Sequence, residues 1–230
     1  MEASRKTIFR FGQAIETALA KNPVQEWETD AWARGLKTGL IRLEGYFFRV
    51  GSGKRSPLSF FIRNNHDLYV GLRRESVTQA ATYVSLVTDY GYPRAQTRFE
   101  SQWMDVAVYG EDGKALIYAE NKASTKILEK LCARLASEFQ SDILPVNPEA
   151  KVVDDALMKA HHIWKNQPRY FWGVCPTQHQ PYEIHYLRPM GFYLKPVGEL
   201  PGAMEWSDSL TPPAWDAGQA MGADGIRIPA

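Results

Sequence analysis

Ile8, Phe11, Ile15 and Leu19 recur at helical spacing, which predicts a first amphipathic helix over residues 7–20. The next stretch, 27–43, is ambiguous, with a short helix expected around 30–38. The pattern then breaks into aromatic and β-branched bursts at 46–50, 58–62 and 68–70. Gly51-Ser-Gly-Lys-Arg-Ser-Pro57 and Asn64-Asn-His-Asp67 separate them, so a small antiparallel meander is predicted. Val77, Ala80/Ala81, Val84 and Val87 mark one face of a helix over 75–90, stopped by Gly91-Tyr92-Pro93. A strand at 95–101 and a hairpin of 103–109 with 114–122 follow. A helix capped by Ser124 or Thr125 runs to about 140, with Ile127/Leu128, Leu131, Leu135 and Phe139 inward. A second, over 149–165, puts Val153, Ala156/Leu157, Ala160 and Trp164 on one side. Strands are predicted at 170–175 and 182–187. Beyond Pro196 the chain is Pro-, Gly- and Ala-rich without periodicity, which predicts an extended or poorly ordered tail over 197–230.

These elements define an α/β core over 75–196, preceded by a helix plus β-rich module at 1–74. Composition adds little: 230 residues, 44% hydrophobic and 23% charged, suit one well-formed core. Cys132 and Cys175 are the two cysteines and no Cys/His cluster has zinc spacing, so neither a disulfide framework nor structural zinc is expected. No apolar run approaches the roughly 20 residues of a membrane span, and no signal peptide is read at the N-terminus; a cytoplasmic protein is expected. The net charge of +1 gives no global basic footprint, yet residues 1–75 hold thirteen Lys/Arg against eight Asp/Glu. Residues 197–230 hold one Arg against five acids. A phosphate-facing patch is therefore expected in the first third, not in the tail.

The hairpin changes the picture most. It carries Asp105 on its first strand and Glu120-Asn-Lys122 at the end of its second, amid apolar neighbours. If Asp112-Gly113 is a two-residue turn, Asp105 faces Glu120 directly, with Cβ atoms about 5 Å apart. If the loop is the four residues 110–113, Asp105 faces Tyr118 and Glu120 lies on the diagonal. Both even-length loops put Asp105, Glu120 and Lys122 on one face, whereas an odd-length loop or a bulge would split them. Paired acids in buried strands are destabilising unless a cation joins them, and Mg²⁺ favours oxygen ligands. The competing expectation is an ordinary ion-pair group on an exposed face.

Other signals are weaker. Gly51-Ser-Gly-Lys-Arg-Ser resembles a phosphate loop but has Phe48 at the first glycine position and Arg55 after Lys54, so a basic hairpin loop is expected. His161-His162 lack the i, i+4 spacing of a metal pair. Cys132 is expected to pack, and Tyr170, Phe171 and Trp172 to be core rather than a base-stacking platform.

Glu75…Gln79, Gly91-Tyr92-Pro93, Arg98-Phe-Glu100, Asp105-Val-Ala-Val-Tyr109, Gly113 and Glu120-Asn-Lys122 together resemble the PD-(D/E)XK nuclease superfamily. The resemblance is closest to the N-terminal nuclease region of type I restriction enzyme R subunits and its stand-alone relatives, and it spans about 75–125. It implies a restriction-endonuclease-like core, ordered αβββαβ, with a central mixed sheet flanked by helices. It further implies a Mg²⁺-dependent DNA endonuclease, with Mn²⁺ able to substitute, serving restriction or defence against foreign DNA. Asp105 and Glu120 would be the metal-binding carboxylates, Lys122 the catalytic lysine, and Glu100 an additional metal contact. Such nucleases often act as homodimers. Lys54, Arg55, Arg73, Arg74 and Gln79 are the candidates to touch nucleic acid. The chain departs from the family in having Thr78 before Gln79, Met104 before Asp105, and no Gln-x-x-x-Tyr after Lys122. The alternative is a nuclease fold without catalysis that binds nucleic acid or a protein partner.

Overall fold

The computed structural model describes residues 20–44, 47–51, 57–58, 61–63, 69–137, 155–187 and 191–203. Residues 7–19 of the first predicted helix, Lys54 and Arg55, the expected inward-facing Phe139 and Val153, and residues 204–230 of the predicted tail lie outside them. The described part of the N-terminal module starts with α1 (Glu26–Thr38), longer than the short helix expected. Glu28 in its first turn accepts the Gln25 N–H at 2.8 Å, and Gly39 at φ +70° closes its end. The expected meander appears as β1 (Ile41–Glu44), β2 (Phe47–Val50) and β3 (Pro57–Leu58) in one antiparallel sheet, with β4 (Phe61–Arg63) and β5 (Tyr69–Leu72) paired separately.

The core opens with α2 (Arg74–Thr88) and continues through β6 (Thr97–Ser101), β7 (Met104–Tyr109), β8 (Ala115–Asn121), α3 (Thr125–Ser137), α4 (Asp155–Asn166), β9 (Tyr170–Cys175), β10 (Gln178–Tyr186) and β11 (Phe192–Pro196). One six-stranded sheet, ordered β11-β10-β9-β8-β7-β6, is antiparallel except between β8 and β9. That single parallel pair needs a crossover, which α3 and α4 provide. The protein is thus α/β, with helices on both faces of a mixed sheet. No helix among the described residues is long and apolar enough to cross a membrane.

Strand alternation divides the core. Val106, Val108, Ile117, Ala119, Trp172 and Val174 pack toward α2 and α1, while Ala107, Tyr118, Phe171, Cys175 and Ile184 pack with Leu128, Leu131, Leu135, Ala160 and Ile163 of α3 and α4. Phe171 and Trp172 are core, as expected, and Cys132 is packed. Ile127, expected inward with Leu128, is half exposed. Helix α2 is buried from Ser76 to Leu86, far beyond a single face. The reason is α1, which covers its outer side: Trp32 Nε1 donates to Val77 O at 3.0 Å. The start of the predicted tail is held rather than loose. Leu200 is buried, Tyr92 donates its hydroxyl to Pro201 O at 2.6 Å, and Ala203 N–H reaches Tyr90 O at 2.8 Å.

Candidate metal centre

The hairpin register is reached by a route the loop alone did not reveal. Near the turn Tyr109 pairs with Ala115, leaving the odd-length loop 110–114 that would have split the acids. A bulge follows at once, so that Val108 pairs with Ile117 and Val106 with Ala119, leaving Leu116 as the extra residue. The two irregularities cancel. Asp105 and Glu120 therefore stand opposite each other, one position beyond the Val106–Ala119 pair.

At that end of the sheet their side chains turn different ways. Asp105 Oδ2 accepts the backbone N–H of Asn121 at 2.6 Å, and Oδ1 accepts from Gln79 Nε2 of α2 at 3.0 Å. Glu120 points toward α4: its Oε1 takes Lys122 Nζ at 2.5 Å and Lys159 Nζ at 3.2 Å. Asn121 faces α2, where its Oδ1 accepts from Thr82 at 2.6 Å. Glu75, in the first turn of α2, completes the group. One carboxylate oxygen each from Glu75, Asp105 and Glu120 lie within 4.8 Å of one another. Lys122 Nζ also lies 3.6 Å from Glu75 and 3.9 Å from Asp155.

The electrostatics are those of a crowded acidic centre. Burial, then the charge of Glu120, hold the Asp105 carboxyl well above the usual carboxylate range; the Asn121 N–H opposes this, Glu75 adds to it, and Lys122 opposes it. Burial likewise raises Glu120, although Lys122 and Lys159 pull it down. Burial disfavours the charge on Lys122, but Glu120 outweighs it and the ammonium is strengthened. Glu120 is only 1% exposed, and its Oε2 has no hydrogen-bond partner among the described residues. A buried carboxylate that keeps one oxygen bare and groups with two further acids fits a hard, oxygen-seeking cation such as Mg²⁺.

The expected residues fall into distinct places. Asp105, Glu120 and Lys122 come together. Glu100 is not in the three-acid group: it lies across from Asp105, between the Phe99–Val106 and Ser101–Met104 pairs, at φ +53°, and its Oε1 takes Gln79 Nε2 at 2.6 Å. Gln79 is 3% exposed and ties these two carboxylates, so its expected nucleic-acid contact is corrected to an internal one. Arg74 is corrected as well. It is buried in a fork on Glu28 and hydrogen-bonded to Thr78 and to the carbonyls of Asn22 and Pro23. Arg73 is exposed. Glu75, a helix marker in the sequence expectation, is a further candidate ligand, and its place in the resemblance was the available signal. Lys159 and Asp155 carried no signal beyond their i, i+4 spacing. No family model, no curated protein and no solved structure matches the chain.

Proposed function

We propose that this protein is a Mg²⁺-dependent endonuclease that hydrolyses phosphodiester bonds of DNA on a restriction-endonuclease-like core, in restriction or another defence against foreign DNA. The observation that carries the reading is the bare, buried Oε2 of Glu120, whose carboxylate groups with those of Glu75 and Asp105. An ion-pair group on a surface would leave no such oxygen out of water's reach, since an unpaired buried acceptor costs about 1–3 kcal/mol.

Glu75, Asp105 and Glu120 are the residues that would hold Mg²⁺. When bound, the ion supplies a Lewis-acid contact to the scissile phosphate and makes water more acidic. Gln79 and the Asn121 N–H fix the Asp105 carboxylate before any ligand arrives. Lys122 stays an ammonium within reach of Glu120 and Glu75, where its charge and its hydrogen bonds can orient an attacking water and steady the developing negative charge. Arg73, exposed immediately before α2 and two residues from Glu75, would meet the phosphate backbone.

The test is cleavage of plasmid, linear duplex and single-stranded DNA in Mg²⁺ or Mn²⁺. Asp105→Ala and Lys122→Ala should each lose cleavage while still folding. Cutting at the wild-type rate by either variant would end the proposal. Calorimetric uptake of Mn²⁺ without cleavage of any substrate would favour the alternative, a nuclease-like fold that binds nucleic acid without cutting it.

A further inference from the structure

Two lysines meet one oxygen of Glu120, and they come from different elements. Lys122 belongs to the end of the same strand. Lys159 comes from α4, reaches Glu120 Oε1 at 3.2 Å and is 5% exposed. Its ammonium is also bound by Asp155, one turn earlier on α4. Burial disfavours a charge on Lys159, yet Glu120 and Asp155 outweigh it. Both lysines take Oε1, and Oε2 has no partner among the described residues. A carboxylate pinned through one oxygen can rotate little about its terminal torsion. The pinning therefore decides which oxygen of Glu120 is left free.

We infer that Lys159 is a positioning residue for the metal centre: tethered by Asp155, it holds Glu120 by Oε1 so that Oε2 is offered to a divalent cation. The inference rests on the metal-centre reading above and adds a residue of α4 to it. It also divides the work of the two lysines. With Lys159 as a fixed partner for Glu120, Lys122 can turn toward a phosphate or a water without leaving a buried carboxylate uncompensated.

Charge and positioning predict opposite signs, which makes the inference testable. Removing a positive charge beside an acidic site should by itself tighten a divalent cation. Losing an outer partner of a ligand typically weakens metal affinity about 10- to 100-fold. Mn²⁺ affinity is measured by calorimetry on the full chain, with circular dichroism to confirm folding. Lys159→Met is expected to bind Mn²⁺ about 10-fold more weakly than wild type. Lys159→Arg, which keeps charge and donors, should stay close to wild type. Lys159→Gln, which keeps one donor without the charge, should fall between them. Should Lys159→Met fail to fold, the comparison of Gln with Arg carries the test, Gln being the weaker. Met or Gln binding Mn²⁺ as tightly as wild type or more so would overturn the positioning role. Absence of Mn²⁺ binding by wild type would instead overturn the metal centre itself.

Discussion

Asp105→Asn removes one charge from a group whose carboxylate oxygens lie within 4.8 Å of one another. At that separation, and at an effective dielectric near 20, each like-charge pair costs about 3.5 kcal/mol, and Asp105 forms two, with Glu120 and Glu75. Glu75 is partly exposed, so its share is cut by solvent. Against the gain stand the two hydrogen bonds and the lost attraction to Lys122: with one acceptor oxygen left, the Asn side chain keeps the Asn121 N–H bond weakened by roughly 1 kcal/mol and loses the bond from Gln79, about 1–3 kcal/mol. The balance is a stabilisation on the order of 1 kcal/mol for the ion-free protein, or about 2–4 °C in Tm for a chain of this size. Calorimetric melts in EDTA, at a pH above the raised Asp105 value so that the group is charged, should therefore place the variant above wild type. Mn²⁺ at about 100 times its Kd should then lift wild type by about 2.7 kcal/mol and leave the variant nearly unmoved. A variant that melts below wild type in EDTA would refute the reasoning, because the acids would then belong to a stabilising ion-pair network.

The same crowding sets a pH dependence. Asp105 and Glu120 have folded pKa values above those of the unfolded chain, so their contribution to stability is fully present below the ordinary carboxylate range near 4 and is lost as pH rises through the raised values. Melts of the ion-free protein should show this loss, and saturating Mn²⁺ should reverse it above the raised values; a contribution from these two acids that grows with pH would contradict the assignment. Glu28→Gln leaves Arg74 buried without its anion and should destabilise by about 3–5 kcal/mol in urea unfolding, with Glu28→Met/Arg74→Met recovering much of the loss; a neutral single variant would show that the pair is solvated. At Gly35 an added Cβ would lie 2.8 Å from side-chain atoms of Ile41 and Val84, so Gly35→Ala should cost about 1–3 kcal/mol by the same measurement, and no loss would mean that α1 can shift outward.

Much of this molecule was written in its periodicities. The helix at α2, the three strands after it, the helical crossover and the strand at 170–175 follow from hydrophobic spacing and turn residues, as does the burial of Phe171 and Trp172. Asp105, Glu120 and Lys122 stood out in sequence because charges in apolar strands need an explanation. The sequence could not reveal what covers the outer side of α2. Helical spacing marks one apolar stripe, whereas α1 packs on the polar side, where the fork of Arg74 on Glu28 is buried. Nor could it supply the register: an odd loop and a bulge cancel at Leu116, a compensation set by how the strands pair. The candidate metal centre depends on the tertiary structure. Glu75, Asp105, Glu120 and Lys159 come from four separate elements, and it is packing around the sheet that closes them to within a few ångströms and leaves Oε2 bare.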